Sequence, residues 1–316
     1  MRTPEVGVRS GGRALRRTGP YTVITRLDAP SSRGATPAPV PVPETRYIAR
    51  SADGDRTVLL SIPLADADAQ RFMVEADASR YLLGPWVSPA TELAPPGEAP
   101  WHARPYVPAL PLPTALAVHG GPLPERTVRA VGAALAETLV IAHGQNLTYA
   151  GVSPAAVLLA ADGPRLTCFG AVRAAAPDGT ARSGLPGLDP GCLPPEQAAG
   201  GRPRPMGDVY ALGATLAYAA TGTTAPERDE LPPALRAVIG RCLARDPGER
   251  PQLAELQEAF NPASTSPVAT QTGSRATALL GPGWLPARVI AAISHQSAAL
   301  LASEPDALAP TARPQD

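Results

Sequence analysis

Few residues in this chain are suited to chemistry, and their spacing narrows the options further. Cys168, Cys192 and Cys242 show neither paired nor metal-type spacing, so a reducing compartment fits them. His102, His119, His143 and His295 are scattered and form no ligand motif with the cysteines. All 28 basic residues are arginine, so no lysine is available to hold a phosphate. Among carboxylates, Asp162 sits in a turn signal and reads as a turn former, while Asp189 is a weaker candidate for a functional role. The formal net charge is zero and no dense basic cluster lies outside the first residues, which excludes nucleic-acid binding through phosphate contacts.

The elements that would position these groups follow from periodicity. Tyr21 to Leu27 alternates polar and apolar residues and predicts a strand. From Ala29 to Glu44, Pro30, Pro37, Pro39, Pro41 and Pro43 forbid a regular ladder, and an extended, mobile loop is expected. Tyr47–Arg50, the turn Asp53-Gly54 and Arg56–Ile62 predict a hairpin. Phe72, Ala76, Ser79 and Leu83 predict a helix over 67–83. Val128, Val131, Leu135, Leu139 and Val140 predict a longer one ending at His143. A second hairpin, turning at Asp162-Gly163, delivers Cys168-Phe169-Gly170. Residues 261–281 read as a flexible linker. Residues 282–303 read as an amphipathic helix with Val289, Ile290, Ile293, Leu300 and Leu301 on one face, expected either on its own lobe or on a partner. The ends, 1–19 and 304–316, read as disordered tails. No run approaches the roughly 18 apolar residues of a membrane span. No apolar stretch follows Arg13, Arg16 and Arg17, so a cytoplasmic location is expected.

Residues Leu147 to Leu159, followed by Thr167-Cys168-Phe169-Gly170, resemble the catalytic and metal-binding loops of bacterial Hanks-type serine/threonine protein kinases. The frame lies in Pro154, Val157-Leu158-Leu159 and Phe169-Gly170. Pro194-Pro195-Glu196, Gly207-Asp208-Val209-Tyr210-Ala211-Leu212-Gly213 and the run from Cys242 to Pro251 extend the resemblance over about residues 20–260. It implies an α+β, two-lobed fold. A small antiparallel lobe with one main helix would span 20–104, and a larger, mostly helical lobe 105–260. It also implies that Asp208 holds the loop backbone and that Arg250 pairs with Glu196. Pro105, Tyr106 and Val107 would be the hinge that faces an adenine. Glu75 falls where the family places the partner of a strand lysine. Arg104 falls at the back of the nucleotide pocket, where it is expected either to pair with Glu75 or to face solvent.

The residues that carry the family's chemistry are replaced. Gly151 stands at the catalytic aspartate, Ser153 at the lysine two residues on, Ala156 at the metal-binding asparagine, Cys168 at the metal-binding aspartate and Ser61 at the strand lysine. Phosphoryl transfer depends on positioning and charge stabilisation, so losing all five removes what the reaction needs. Both signs of charge are lost together, which predicts a neutralised cleft. Cys168 then reads as a small core residue. The resemblance therefore implies a pseudokinase, a regulatory or scaffolding module acting through its activation segment, its 29–44 loop and its C-terminal helix. A protein partner is expected, an active kinase being one candidate, and no metal or cofactor is expected. The alternatives are a divergent kinase, or a protein that binds nucleotide without transferring phosphate. Thr180 and Ser183 are candidate phosphorylation sites. The sequence carries no signal of oligomeric state.

Overall fold

Strand alternation gives the first hundred residues one antiparallel sheet with two different faces. In this computed structural model, which describes residues 17–28, 40–260 and 274–303, the strands are β1 (Arg17–Thr18), β2 (Tyr21–Arg26), β3 (Glu44–Ser51), β4 (Thr57–Pro63), β5 (Glu92–Leu93) and β6 (His102–Pro105). They lie in the order β1-β2-β3-β4-β6-β5. Arg46 faces Ser61, Ile48 faces Leu59, Leu59 faces Arg104 and Ser61 faces His102, so these side chains share one face. The other face gathers Tyr21, Ala49, Val58, Leu60, Trp101 and Ala103. Helix α1 (Ala69–Ser79) connects β4 to β5. The Asp68 side chain caps it, accepting hydrogen bonds from the backbone of Gln70 and Arg71.

Beyond β6 the chain is mostly helical. It runs through β7 (Ala109–Pro111), α2 (Leu112–His119), α3 (Glu125–Gly144), β8 (Val157–Ala160), β9 (Gly163–Leu166), α4 (Ala171–Ala175), α5 (Pro195–Ala198), α6 (Pro205–Thr221), α7 (Pro233–Cys242) and α8 (Leu253–Phe260). Helices α3 and α6 are apolar on nearly every side because they form the centre of this lobe. Their Val128, Val131, Leu135, Leu139, Leu212 and Leu216 belong to one buried cluster. β7, β8 and β9 form a small antiparallel sheet on the side facing the first lobe. Two backbone bonds tie the lobes there, from Ser88 N to Leu166 O (3.0 Å) and from Leu166 N to Trp86 O (2.7 Å).

Two boundary expectations change. Residues 274–281, expected in a flexible linker, are docked: Ser274 donates to Glu137 (2.7 Å), Ala276 N donates to the same carboxylate (3.2 Å), and Ala276 is fully buried. Ser/Thr-rich composition concealed these specific partners. In the expected N-terminal tail, Arg17–Thr18 pairs with β2 through a tight turn at Gly19. Residues 1–16, 29–39, 261–273 and 304–316, with the tail, loop and linker expectations that fall on them, lie outside the described residues. The last helix, α9 (Ala287–Ala302), packs against α2 and β7 of its own chain. Among the described residues no helix is long and apolar enough to cross a membrane.

Arg250 is held most completely among the ion-paired arginines of the helical lobe. Its guanidinium meets both Glu196 oxygens (2.7 and 3.0 Å) and donates to the carbonyls of Ala244, Met206 and Arg245. It also lies 5.1 Å from the Tyr210 ring centre. The Arg250 side chain has no solvent exposure, so Glu196→Ala strands a buried charge and should cost roughly 3–5 kcal/mol. In urea unfolding the double variant Glu196→Ala/Arg250→Ala should cost less than the sum of the two single variants. Simple additivity would show that the pair does not interact.

Candidate functional site

The site lies between the lobes, and its floor is set by Asp208. The carboxylate, buried at the start of α6, accepts from Tyr149 N and Ala150 N (2.7 Å each) and from His143 Nε2 (2.9 Å). This fixes the 147–156 loop, with Ala150 held at a positive φ of 52°. The Tyr149 hydroxyl donates to Thr167 O (3.0 Å), and its ring meets Phe169 edge-on at 5.3 Å. Gly151 follows directly. A Cβ built on Gly151 would lie 1.9 Å from the carbonyl oxygen of Cys168, so no side chain fits there. Ser153 and Ala156 are buried, and the Ala156 carbonyl accepts from both the amide (2.9 Å) and the hydroxyl (2.8 Å) of Thr167. Those two positions are thus built into the turn that leads into β8.

The roof is the inner face of the large sheet, and it corrects the expectation of a neutralised cleft. Glu44, Arg46, His102 and Arg104 are all buried there. Arg46 forms a two-pronged pair with Asp28 (2.9 and 2.6 Å) and reaches Thr167 Oγ1 on the floor (3.3 Å). The Glu44 carboxylate accepts from Ser61 (3.0 Å), from His102 Nε2 (3.2 Å) and from the Cys168 thiol (3.5 Å), with Arg104 at 3.9 Å. Ser61, at the expected lysine position, is therefore a hydrogen-bond donor inside a network of charges.

Arg104 does turn inward, but not to Glu75. It donates to Ser88 O (2.8 Å) and to His102 Nδ1 (3.2 Å), while its Nε has no hydrogen-bond partner among the described residues. Glu75 is held instead by Arg173 of α4, through two bonds of 2.9 and 2.7 Å. The expectation of a Glu75 without a cation, or paired with Arg104, gives way to this pair. The physical reason is local. The alanine-rich stretch after Phe169-Gly170 forms a short helix, which carries Arg173 to α1 and sets its guanidinium 4.9 Å from the Phe169 ring centre. Gly170, at φ 74°, allows the close approach, since a Cβ there would lie 2.1 Å from Glu75 Oε2.

The electrostatics are self-consistent. Burial alone would raise the Glu44 carboxyl, but the His102 hydrogen bond and the charges around it hold it well below the ordinary carboxylate range. His102 is pushed below its ordinary 6.5, chiefly by burial. A neutral ring fits the geometry, because Nδ1 accepts from Arg104 while Nε2–H donates to Glu44. The Cys168 thiol is pushed up to about 12, first by burial and then by Glu44, so it is a donor and not a nucleophile. Asp189 caps the turn at 190–192 and accepts from Thr224, and Asp162 pairs with Arg165 at the surface. Thr180 and Ser183 are both exposed.

At the hinge, Pro105 ends β6, Tyr106 N donates to Thr57 O (3.1 Å), and Val107 is exposed. The space next to it is apolar and filled: Leu27, Ile48 and Leu59 from above and Ala109, Leu158 and Ala160 from below form one buried cluster with Leu300 of α9. Behind the charged network a cavity of about 50 Å³ remains, lined by Phe72, Leu82, Arg104 and Phe169 among others. Sequence reading missed Asp28, Glu44, Arg46, His102, Arg173 and Leu300. The alternation of Glu44, Arg46 and Ile48 in β3 was the available signal, since it puts two charges on the same face as an apolar residue.

His102 gives this network a pH signature. It is neutral in the folded chain, whereas the unfolded chain takes up a proton near 6.5. Its stabilisation is complete above that pH and is lost progressively as pH falls below it toward the lowered folded-state value. The Tm advantage of the wild type over His102→Gln should shrink as pH falls from about 7.5 to about 5.5. A constant difference would show that His102 does not change its protonation on unfolding.

No protein-family model matches the chain. It is 29% identical over 300 residues to the serine/threonine-protein kinase AfsK of Streptomyces coelicolor, covering 88% of this chain and 35% of the relative. It is 31% identical over 262 residues to the probable serine/threonine-protein kinase PkwA of Thermomonospora curvata, covering 76% of this chain and 34% of the relative. The chain thus spans about a third of the length of these curated relatives. Two crystal structures of the PknI kinase domain from Mycobacterium tuberculosis superpose with TM-scores of 0.58 and 0.55 at 23% identity. They cover 79% and 77% of this chain and 98% and 95% of theirs. The chain is therefore homologous to the bacterial Hanks-type serine/threonine protein kinases and has the two-lobed protein-kinase fold.

Proposed function

We propose that this chain is a pseudokinase, a regulatory or scaffolding module that presents the surfaces of a kinase fold to a protein partner and does not transfer phosphate. The steric closure at Gly151 carries the reading. Phosphoryl transfer uses a carboxylate at this point of the loop to orient the attacking hydroxyl and receive its proton. Here the backbone of Cys168 lies where the first atom of such a side chain would go. The position has lost its carboxylate and the room for one.

The rest of the cleft supports the same reading. Magnesium wants oxygen ligands in near-octahedral geometry. Ala156 offers only a carbonyl already engaged by Thr167, and Cys168 offers a protonated thiol directed at Glu44. Arg46, the roof cation that reaches Thr167 on the floor, is committed to Asp28. The enclosed space of about 50 Å³ is small beside the roughly 300–1,000 Å³ of ordinary ligand pockets. These residues do not fit a metal-bound nucleoside triphosphate.

Restoring the missing carboxylate tests the reading. Gly151→Asp should give no phosphate incorporation above the wild type when the purified chain is supplied with labelled ATP, magnesium and a general protein substrate. It should also lower stability by roughly 1–3 kcal/mol, the usual penalty for forcing atoms into packed space. Incorporation that rises on Gly151→Asp without loss of stability would contradict the proposal.

A further inference from the structure

The cluster beside the hinge contains one residue that comes from far along the chain. Leu300 is buried among Leu27, Ile48 and Leu59 of the first lobe and Ala109, Leu158 and Ala160 of the second. We propose that α9 is a strap: anchored at its base in the helical lobe, it closes the hinge side of the cleft with its tip and holds the two lobes together.

The two ends of the helix are held differently. At the base, Trp284, Leu285, Val289 and Ile293 belong to the main core of the helical lobe, and Trp284 Nε1 donates to Ala161 O (2.8 Å). At the tip, Leu300 is the one buried apolar residue of the last two turns, while Leu301 beside it is 79% exposed. The inward stripe reads Val289, Ile293, Gln296, Leu300, a helical spacing with one polar member. That member falls where the helix crosses the hinge, and Gln296 Oε1 accepts from the Tyr106 hydroxyl (3.2 Å). The eleven steps from Val289 to Leu300 carry the helix about 16 Å, from one lobe to the edge of the other.

The first lobe then receives the helix end. Arg50 of β3 donates to Leu300 O (2.9 Å) and Ser303 O (3.3 Å). It supplies donors to carbonyls that the end of a helix leaves without intrahelical partners, and a cation at the negative end of the helix dipole. Arg50 shares its strand face with Ile48 and Arg46, so the residue that captures the tip lies in line with those that fill the cleft. A tip held by one leucine and one arginine can lift while the four apolar residues of the base stay in place. The strap goes beyond the proposed function, since it would close an active cleft as readily as an inactive one.

Hydrogen exchange on the 316-residue chain tests the strap without any nucleotide. Two variants are compared with wild type: Leu300→Ala, which removes the apolar plug, and Arg50→Ala, which removes the cap and leaves the plug. Both should speed exchange by about tenfold, equivalent to about 1.4 kcal/mol of local opening, at residues 297–303 and in β3, β4, β7 and β8. Residues 285–293 and the central helix α6 should keep wild-type protection. Faster exchange along the whole of α9 would show a helix that packs as one unit and overturn the proposal. A change confined to 297–303, or no change, would also overturn it, because the tip would then not brace the lobes.

Discussion

A carboxylate shut between two lobes must be given partners, and the arrangement of this cleft follows from that need. Glu44 receives three side-chain donors and two neighbouring cations. Each partner is fixed in turn: Ser61 and His102 by strand register, Arg104 by Ser88 O, and Cys168 by the turn that follows β9. A buried ion network stabilises only when its members are paired and hydrogen-bonded. This one nearly meets that condition, with the Arg104 Nε as an unpartnered atom. The network joins the lobes directly, through Cys168 to Glu44 and Arg46 to Thr167.

Much of the scaffold was legible in the sequence because it depends on local pattern. The hairpin of β3 and β4 announces itself through alternation and Asp53-Gly54, and α3 through its apolar period. The Asp208 contacts and the Glu196–Arg250 pair were legible because short motifs fixed both ends. The charged roof was not. β3 is buried on both faces, so its pattern does not tell which face meets the other lobe, and Glu44 and Arg46 could as well have been edge charges. Arg173 was hidden for another reason: its role depends on the five-residue helix α4, too short to give a periodic signal. The period of α9 showed an apolar face without showing that one of its leucines serves the other lobe.

The substitutions gain their meaning from these contacts. At the position that the resemblance assigns to a strand lysine, Ser61 supplies no cation, but Arg46 directly across on the neighbouring strand does, and it is committed to Asp28. Replacing the partner of Glu75 leaves no orphan, because Arg173 takes it. On the proposed reading, the charges of this cleft act on one another in place of a ligand. On that reading, these pairs together with the closure at Gly151 and the plug at Leu300 make the inter-lobe space an interior.

Calorimetric titration of the intact protein with ATP and magnesium tests that claim most directly. A cleft filled by its own side chains should give no saturable heat up to about 1 mM ligand, a range that would register any site binding more tightly than about −4.1 kcal/mol. Saturable, magnesium-dependent binding that weakens on substitution of Arg46 would contradict the account.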